Sequence, residues 1–70
     1  MENGKTRTPK EMADWLIKNR ENAMEICNRD IKAHKDHIEY GKEFKNEKMI
    51  RVNTERLKFW REVKKELEKV

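Results

Sequence analysis

The chain has 70 residues, of which 46% are charged and 34% hydrophobic, with one cysteine and a formal net charge of +4. A chain this short forms one domain at most and buries little surface, and the lone Cys27 excludes an internal disulfide. Oligomerisation or partner binding is therefore the expected supplement to its stability. Its apolar runs are far too short to span a membrane, so we expect a cytoplasmic protein.

The first helix begins at a clear start signal. Thr8, Pro9 and Glu11 form the pattern of a capping box, with threonine as N-cap, proline at the first helical position and glutamate at the third. The preceding segment has no apolar residue after Met1, so we expect residues 1–8 to be a flexible tail and residues 9–70 to form the domain.

Two apolar sets with helical spacing follow, separated by Gly41, a residue that can end a helix. We therefore predict an all-α fold, an antiparallel two-helix hairpin with helices over residues 9–40 and 42–69. Folding the chain at Gly41 places Leu16 opposite Leu67 and Ile38 opposite Phe44. The first set is Met12, Leu16, Asn19, Ala23, Cys27, Ile31, His34 and Ile38, and the second is Phe44, Met49, Val52, Arg56, Phe59, Val63, Leu67 and Val70.

Two other arrangements fit the same pattern. One glycine costs only about 1 kcal/mol inside a helix, so a single continuous helix in a dimeric coiled coil is possible. Asn53 and Thr54 could instead cap a separate third helix.

Metal binding and catalysis have little support in the sequence. Cys27, Asp30, His34 and His37 share a helix face, but Cys27 and His37 lie about 15 Å apart along the axis, too far to share one ion. Cys27 and His34 are about 10 Å apart, too far for a nucleophile and its base. We expect no enzyme, no cofactor, no metal and no small-molecule substrate.

The basic excess lies on the second helix. Residues 9–41 carry six basic and seven acidic side chains, whereas residues 42–65 carry nine and four. A stripe of basic residues could follow a phosphate backbone, although Glu55 and Glu62 lie within it. The candidate phosphate contacts are Lys48, Arg51, Lys58, Arg61, Lys65 and Lys69.

One ion pair is predicted between the helices. Asp30 lies near the apolar face of the first helix and Arg56 on that of the second, within about one turn of each other in the hairpin. A partly buried pair there would fix the register of the two helices.

Apolar residues at the edges of both helices predict a partner interface. Ile17, Met24 and Ile31 repeat every seven residues, as do Ile50 and Leu57, and both edges turn to one side of the hairpin. Such a patch is typical of an interface, and two copies joined there would form a four-helix bundle.

From these features we expect a small protein–protein interaction module that binds and modulates a larger bacterial protein. Lysine outnumbers arginine two to one, a composition associated with AT-rich genomes, and favours an accessory or inhibitor protein of the phage or mobile-element type. The alternative is a small, basic, dimeric nucleic-acid-binding regulator that uses its second helix.

Overall fold

The computed structural model describes residues 7–69 and places three helices there: α1 over Pro9–Asn19, α2 over Ala23–Glu43 and α3 over Glu47–Glu68. The all-α prediction is confirmed. The two-helix hairpin is wrong, because the predicted first helix is divided into α1 and α2. Apart from Arg7 and Thr8, the predicted tail lies outside the described residues, as does Val70.

Helix α1 begins as the sequence predicts. The Thr8 hydroxyl accepts a hydrogen bond from the Glu11 backbone amide at 3.1 Å, and the Glu11 carboxylate accepts one from the Thr8 amide at 2.9 Å. Pro9 occupies the first turn, where its missing amide hydrogen costs no helical hydrogen bond.

The break after α1 lies in a polar stretch, Lys18 to Asn22. Arg20 has an extended backbone, with φ −138° and ψ 136°, while its amide still donates to the Leu16 carbonyl. The Asn19 side chain donates to the Trp15 carbonyl at 2.8 Å, and the Arg20 guanidinium lies 5.2 Å from the centre of the Trp15 ring. Asn19, predicted on the core face, is exposed at this break.

The turn between α2 and α3 begins at Phe44, three residues beyond Gly41. Lys45 adopts the left-handed conformation, with φ 54°, and its amide donates to the Lys42 carbonyl. The Asn46 amide donates to the Gly41 carbonyl at 2.8 Å, which completes a Schellman motif. The Asn46 side chain also caps α3, because it accepts a hydrogen bond from the Met49 amide.

Gly41 itself lies inside α2 and is buried. A Cβ at this position would lie 2.9 Å from Cγ1 of Ile50 and 3.4 Å from the Asn46 carbonyl oxygen. The glycine therefore permits a close approach of α2 and α3 beside the turn, rather than forming the turn.

Helix α3 packs against both other helices, whereas α1 and α2 make few contacts with each other. The core is small and consists of Ala13, Leu16, Cys27, Val63 and Leu67. The molecule measures 38 × 30 × 16 Å, and its radius of gyration of 13.3 Å exceeds the value of about 11 Å for a compact domain of this length. The fold is therefore flat and open.

Asn53 and Thr54 do not begin a separate helix. Both lie within α3. The side-chain amide of Asn53 donates to the Met49 carbonyl, and the Thr54 hydroxyl donates to the Ile50 carbonyl. These bonds satisfy the two side chains four residues back along the same helix.

Candidate functional site

An open groove of about 860 Å³ runs along α3. Helix α1 has 11 residues and α3 has 22, so α1 covers only part of its length. Helix α1 covers the side of α3 that carries Val63 and Leu67. Nearer the start of α3, around Val52, α1 leaves the same side uncovered. The groove is lined by Arg7, Met12, His34, Val52, Glu55, Arg56, Phe59 and Trp60.

The order of these residues gives the direction of α1. Its first turn, with Met12, borders the groove together with Phe59 and Trp60, whereas Leu16 lies in the core with Val63 and Leu67. Helix α1 therefore runs in the same direction as α3, and α2 runs opposite to both. The open groove continues the line of α1 along α3.

The chemistry of the groove is apolar with a basic border. Met12, Val52, Phe59 and Trp60 are only half-buried, and the rings of the last two meet edge to face at 5.8 Å. Arg7 and Arg56 are exposed at the groove, with Glu55 as the acidic side chain among the lining residues. Such a surface suits an apolar side chain flanked by a carboxylate.

One groove residue is held in a fixed position. His34 Nδ1 lies 2.9 Å from the Asn53 side-chain oxygen, while the Asn53 amide nitrogen donates to the Met49 carbonyl at 2.9 Å. The Asn53 oxygen is thus an acceptor, and His34 donates to it through Nδ1. In the neutral ring, Nε2 is then the acceptor nitrogen.

The predicted ion pair between Asp30 and Arg56 is not formed. Within residues 7–69 the ion pairs lie inside single helices, and neither of these two residues takes part in them. Arg56 lies on the same side of α3 as Val52 and lines the groove. It is exposed because α1 begins beyond it along α3, and so it borders the groove.

The predicted apolar interface is largely covered within one chain. Leu57 is buried, with 8% of its surface exposed, and Met24 and Ile31 pack against the core. Ile50 is half-buried next to Gly41, and Ile17 is 45% exposed. Leu57 is therefore buried within one chain and is not a free surface residue. Contact of the other four with a partner remains a prediction.

All six candidate phosphate-binding residues are exposed: Lys48, Arg51, Lys58, Arg61, Lys65 and Lys69. Two of them already lie beside carboxylates. Lys65 is 3.5 Å from Glu62, and Lys69 is 3.1 Å from Glu66. These pairs are the interactions expected of a solvated helix face. Phosphate binding remains a prediction.

The four candidate metal ligands have separate surroundings. Cys27 is fully buried, and its thiol donates to the Trp60 carbonyl at 3.3 Å. Burial raises the pKa of this thiol, as do Asp30 and Glu68 to a lesser degree, against the opposing effect of Lys64. The rings of His34 and His37 are 6.3 Å apart. Within the described part of the chain, no three potential ligands gather around a common point.

An exposed aromatic pair was missed in the sequence. Tyr40 and Phe44, at the end of α2, are 55% and 60% exposed, and their ring centres are 4.6 Å apart. The sequence pattern placed Phe44 in the core because it put the turn at Gly41. Moving the turn to Lys45 places Phe44 at the helix end, outside the contact between α2 and α3.

Comparison of the chain with protein-family models, with curated proteins and with solved structures gives no match. Among the described helices, none is both long enough and apolar enough to cross a membrane.

Proposed function

We propose that this protein is a non-enzymatic interaction module that binds and modulates a larger protein through the groove between α1, α2 and α3. The observation that carries the proposal is the half-buried apolar lining of this groove beside exposed arginines. A bacterial target, and an accessory role of the phage or mobile-element type, are the parts of the proposal that rest on composition alone.

The lining residues are of the types that dominate binding energy at interfaces. Aromatic residues and arginine are enriched at such positions, and here Phe59, Trp60 and Arg56 lie together. Covering a large apolar side chain completely contributes about 1.5–3 kcal/mol. An apolar segment of a target laid along α3 would supply the packing that α1 supplies to Val63 and Leu67.

The test compares how well variants capture a target from host lysate. Arg56→Glu reverses a charge at the groove while altering an exposed side chain, so the fold is expected to persist. Lys58→Glu makes the same change on the outer face of α3 and serves as the matched control. We expect the first variant to lose a target that the wild type and the control retain. Equal capture by all three would contradict the proposal.

The second candidate is nucleic-acid binding through the outer face of α3, favoured by the exposure of all six basic residues there. Its distinguishing property is a steep loss of affinity with added salt. Titration of duplex DNA measured by fluorescence anisotropy tests it directly. If this candidate is right, Lys58→Glu weakens binding more than Arg56→Glu does, the reverse of the result expected for the groove.

A further inference from the structure

The exposed aromatic pair and the groove lie on the same side of the α2–α3 hairpin. Counted at 100° per residue, Tyr40 and Phe44 fall on the edge of α2 that is opposite to Met24 and Ile31. On α3, Val52 and Arg56 share an edge with Val63, where α1 packs. Because α2 and α3 are antiparallel, these two edges face one side of the hairpin, which we call the α1 side.

Along the α1 side, three features follow one another. The aromatic pair lies at the turn, the groove around Arg56 comes next, and α1 covers the far end. Gly41, next to Tyr40, lies against Ile50, and Ile50 precedes Arg56 by six residues, so the aromatic pair lies about 9 Å from Arg56 along α3. The turn half of the α1 side is thus an apolar surface that α1 does not cover.

We propose that a second copy of this chain covers this surface, with the Tyr40–Phe44 pair of each copy lying in the groove of the other. A two-fold axis near Val52, with the two α3 helices antiparallel, brings both contacts together at once. Under such symmetry one contact is necessarily made twice. The turn halves of the two hairpins then form a four-helix bundle, and each α1 flanks it.

Charge on the two surfaces is complementary. Asp36 and Glu43 lie four residues before and three residues after Tyr40, so they neighbour it on the surface of α2. Asp36 also pairs with Lys32 within α2 at 3.4 Å, so Glu43 is the main acidic group of this surface. Arg7 and Arg56 lie at the groove that would receive the pair. Opposite charges thus meet across the contact in the antiparallel arrangement, whereas a parallel arrangement would place like surfaces together.

The small core provides an independent reason for association. One chain buries few large side chains and leaves Phe44 and Tyr40 more than half exposed. A chain of about this length commonly gains the missing burial from a second copy. This interface differs from the edge with Met24 and Leu57 that the sequence pattern indicates, because Leu57 is already covered within one chain.

This inference deepens the proposed function, since a target and the second copy would use the same groove and compete for it. The two are separable by experiment. Phe44→Glu removes the aromatic side chain that the second copy inserts and leaves the groove of each chain intact. It is expected to weaken self-association and to preserve, or strengthen, capture of a target.

Sedimentation velocity over a wide range of protein concentrations tests self-association. We expect a monomer–dimer equilibrium for the wild type and a dissociation constant raised roughly tenfold or more by Phe44→Glu, since each such contact occurs twice. Ile17→Glu is the matched control, because it places the same charge on an exposed apolar residue of α1. It should leave the equilibrium unchanged, and circular dichroism should show the same helicity for all three proteins.

A charge exchange tests the orientation of the two copies. Arg56→Glu and Glu43→Arg should each weaken the dimer, and the double variant should regain most of the lost affinity. A wild type that stays monomeric at every concentration would overturn the proposal. So would a dimer that is insensitive to Phe44→Glu, or one that Ile17→Glu dissociates instead.

Discussion

His34, which lines the groove, and Asn53 join α2 to α3 through a side-chain hydrogen bond of 2.9 Å. Asn53 is held in place by its own bond to the Met49 carbonyl, so its oxygen is directed to the histidine. Both residues are half-buried, where a polar group without a partner is costly. This polar contact therefore fixes the register of the two long helices, the role that the sequence pattern assigned to Asp30 and Arg56.

Removal of this contact should destabilise the fold. Asn53→Ala leaves His34 Nδ1 without its acceptor, and we expect the free energy of unfolding to fall by about 1–2 kcal/mol. Urea denaturation measures the change. His37→Ala removes an exposed histidine of the same helix and should alter stability by less than about 0.5 kcal/mol. Equal effects of the two substitutions would show that the bond does not contribute.

The left-handed residue at the turn provides a stabilising substitution. Lys45 has φ 54°, a conformation that costs a residue with a side chain about 1 kcal/mol relative to glycine. Lys45→Gly should therefore raise the free energy of unfolding by about that amount. Lys42→Gly, three residues earlier and inside α2, should lower it by about 1 kcal/mol. Thermal denaturation of both variants shows whether each substitution raises or lowers stability. A loss of stability in Lys45→Gly would contradict the left-handed conformation of Lys45.

Gly41 should be intolerant of even the smallest side chain. In Gly41→Ala the new Cβ would meet Cγ1 of Ile50 at 2.9 Å, an overlap whose cost of about 1–3 kcal/mol outweighs the gain of about 1 kcal/mol in helix propensity. We expect a net loss of stability in urea denaturation. The same substitution in an Ile50→Ala background should cost less, because Ile50→Ala removes Cγ1. An unchanged cost in that background would place the strain elsewhere.

Much of the helical content and one helix boundary could be predicted from the sequence, because they depend on local chemistry. Thr8, Pro9 and Glu11 act within a single turn, so their pattern is sufficient. Gly41 was misassigned because a glycine that ends a helix and one that admits a neighbouring helix look alike in a sequence. The difference depends on Ile50, nine residues away.

The break at Arg20 had a weaker local signal. Five polar residues from Lys18 to Asn22 interrupt the apolar periodicity, but charged residues are common on the surface of long helices. At the end of α1 the Asn19 side chain bonds to the Trp15 carbonyl, and the break allows α1 to pack against α3. The groove depends on how α1 packs against α3. Neither its position nor the exposure of Arg56 and Phe44 could therefore be predicted from helical spacing.

Cys27 should make stability fall at alkaline pH. Its thiol is buried, donates to the Trp60 carbonyl and has a pKa raised above the ordinary value of 9.0, with burial as the largest cause. Well below pH 9.0 the thiol is protonated in both the folded and the unfolded chain, so it adds no pH dependence there. Above that value the unfolded chain releases the proton first, and each further rise in pH favours unfolding until the folded thiol also ionises.

The measurement is the urea midpoint of wild type and Cys27→Ala on either side of pH 9.0. Other groups titrate in both proteins, so the contribution of the thiol is the difference between their alkaline losses. We expect the wild type to lose more stability than Cys27→Ala does. A thiol reagent at neutral pH should also modify the wild type only as fast as the chain unfolds, because the protonated, buried sulfur is unreactive. Rapid modification of the folded protein would mean that α1 and α2 open readily around Cys27.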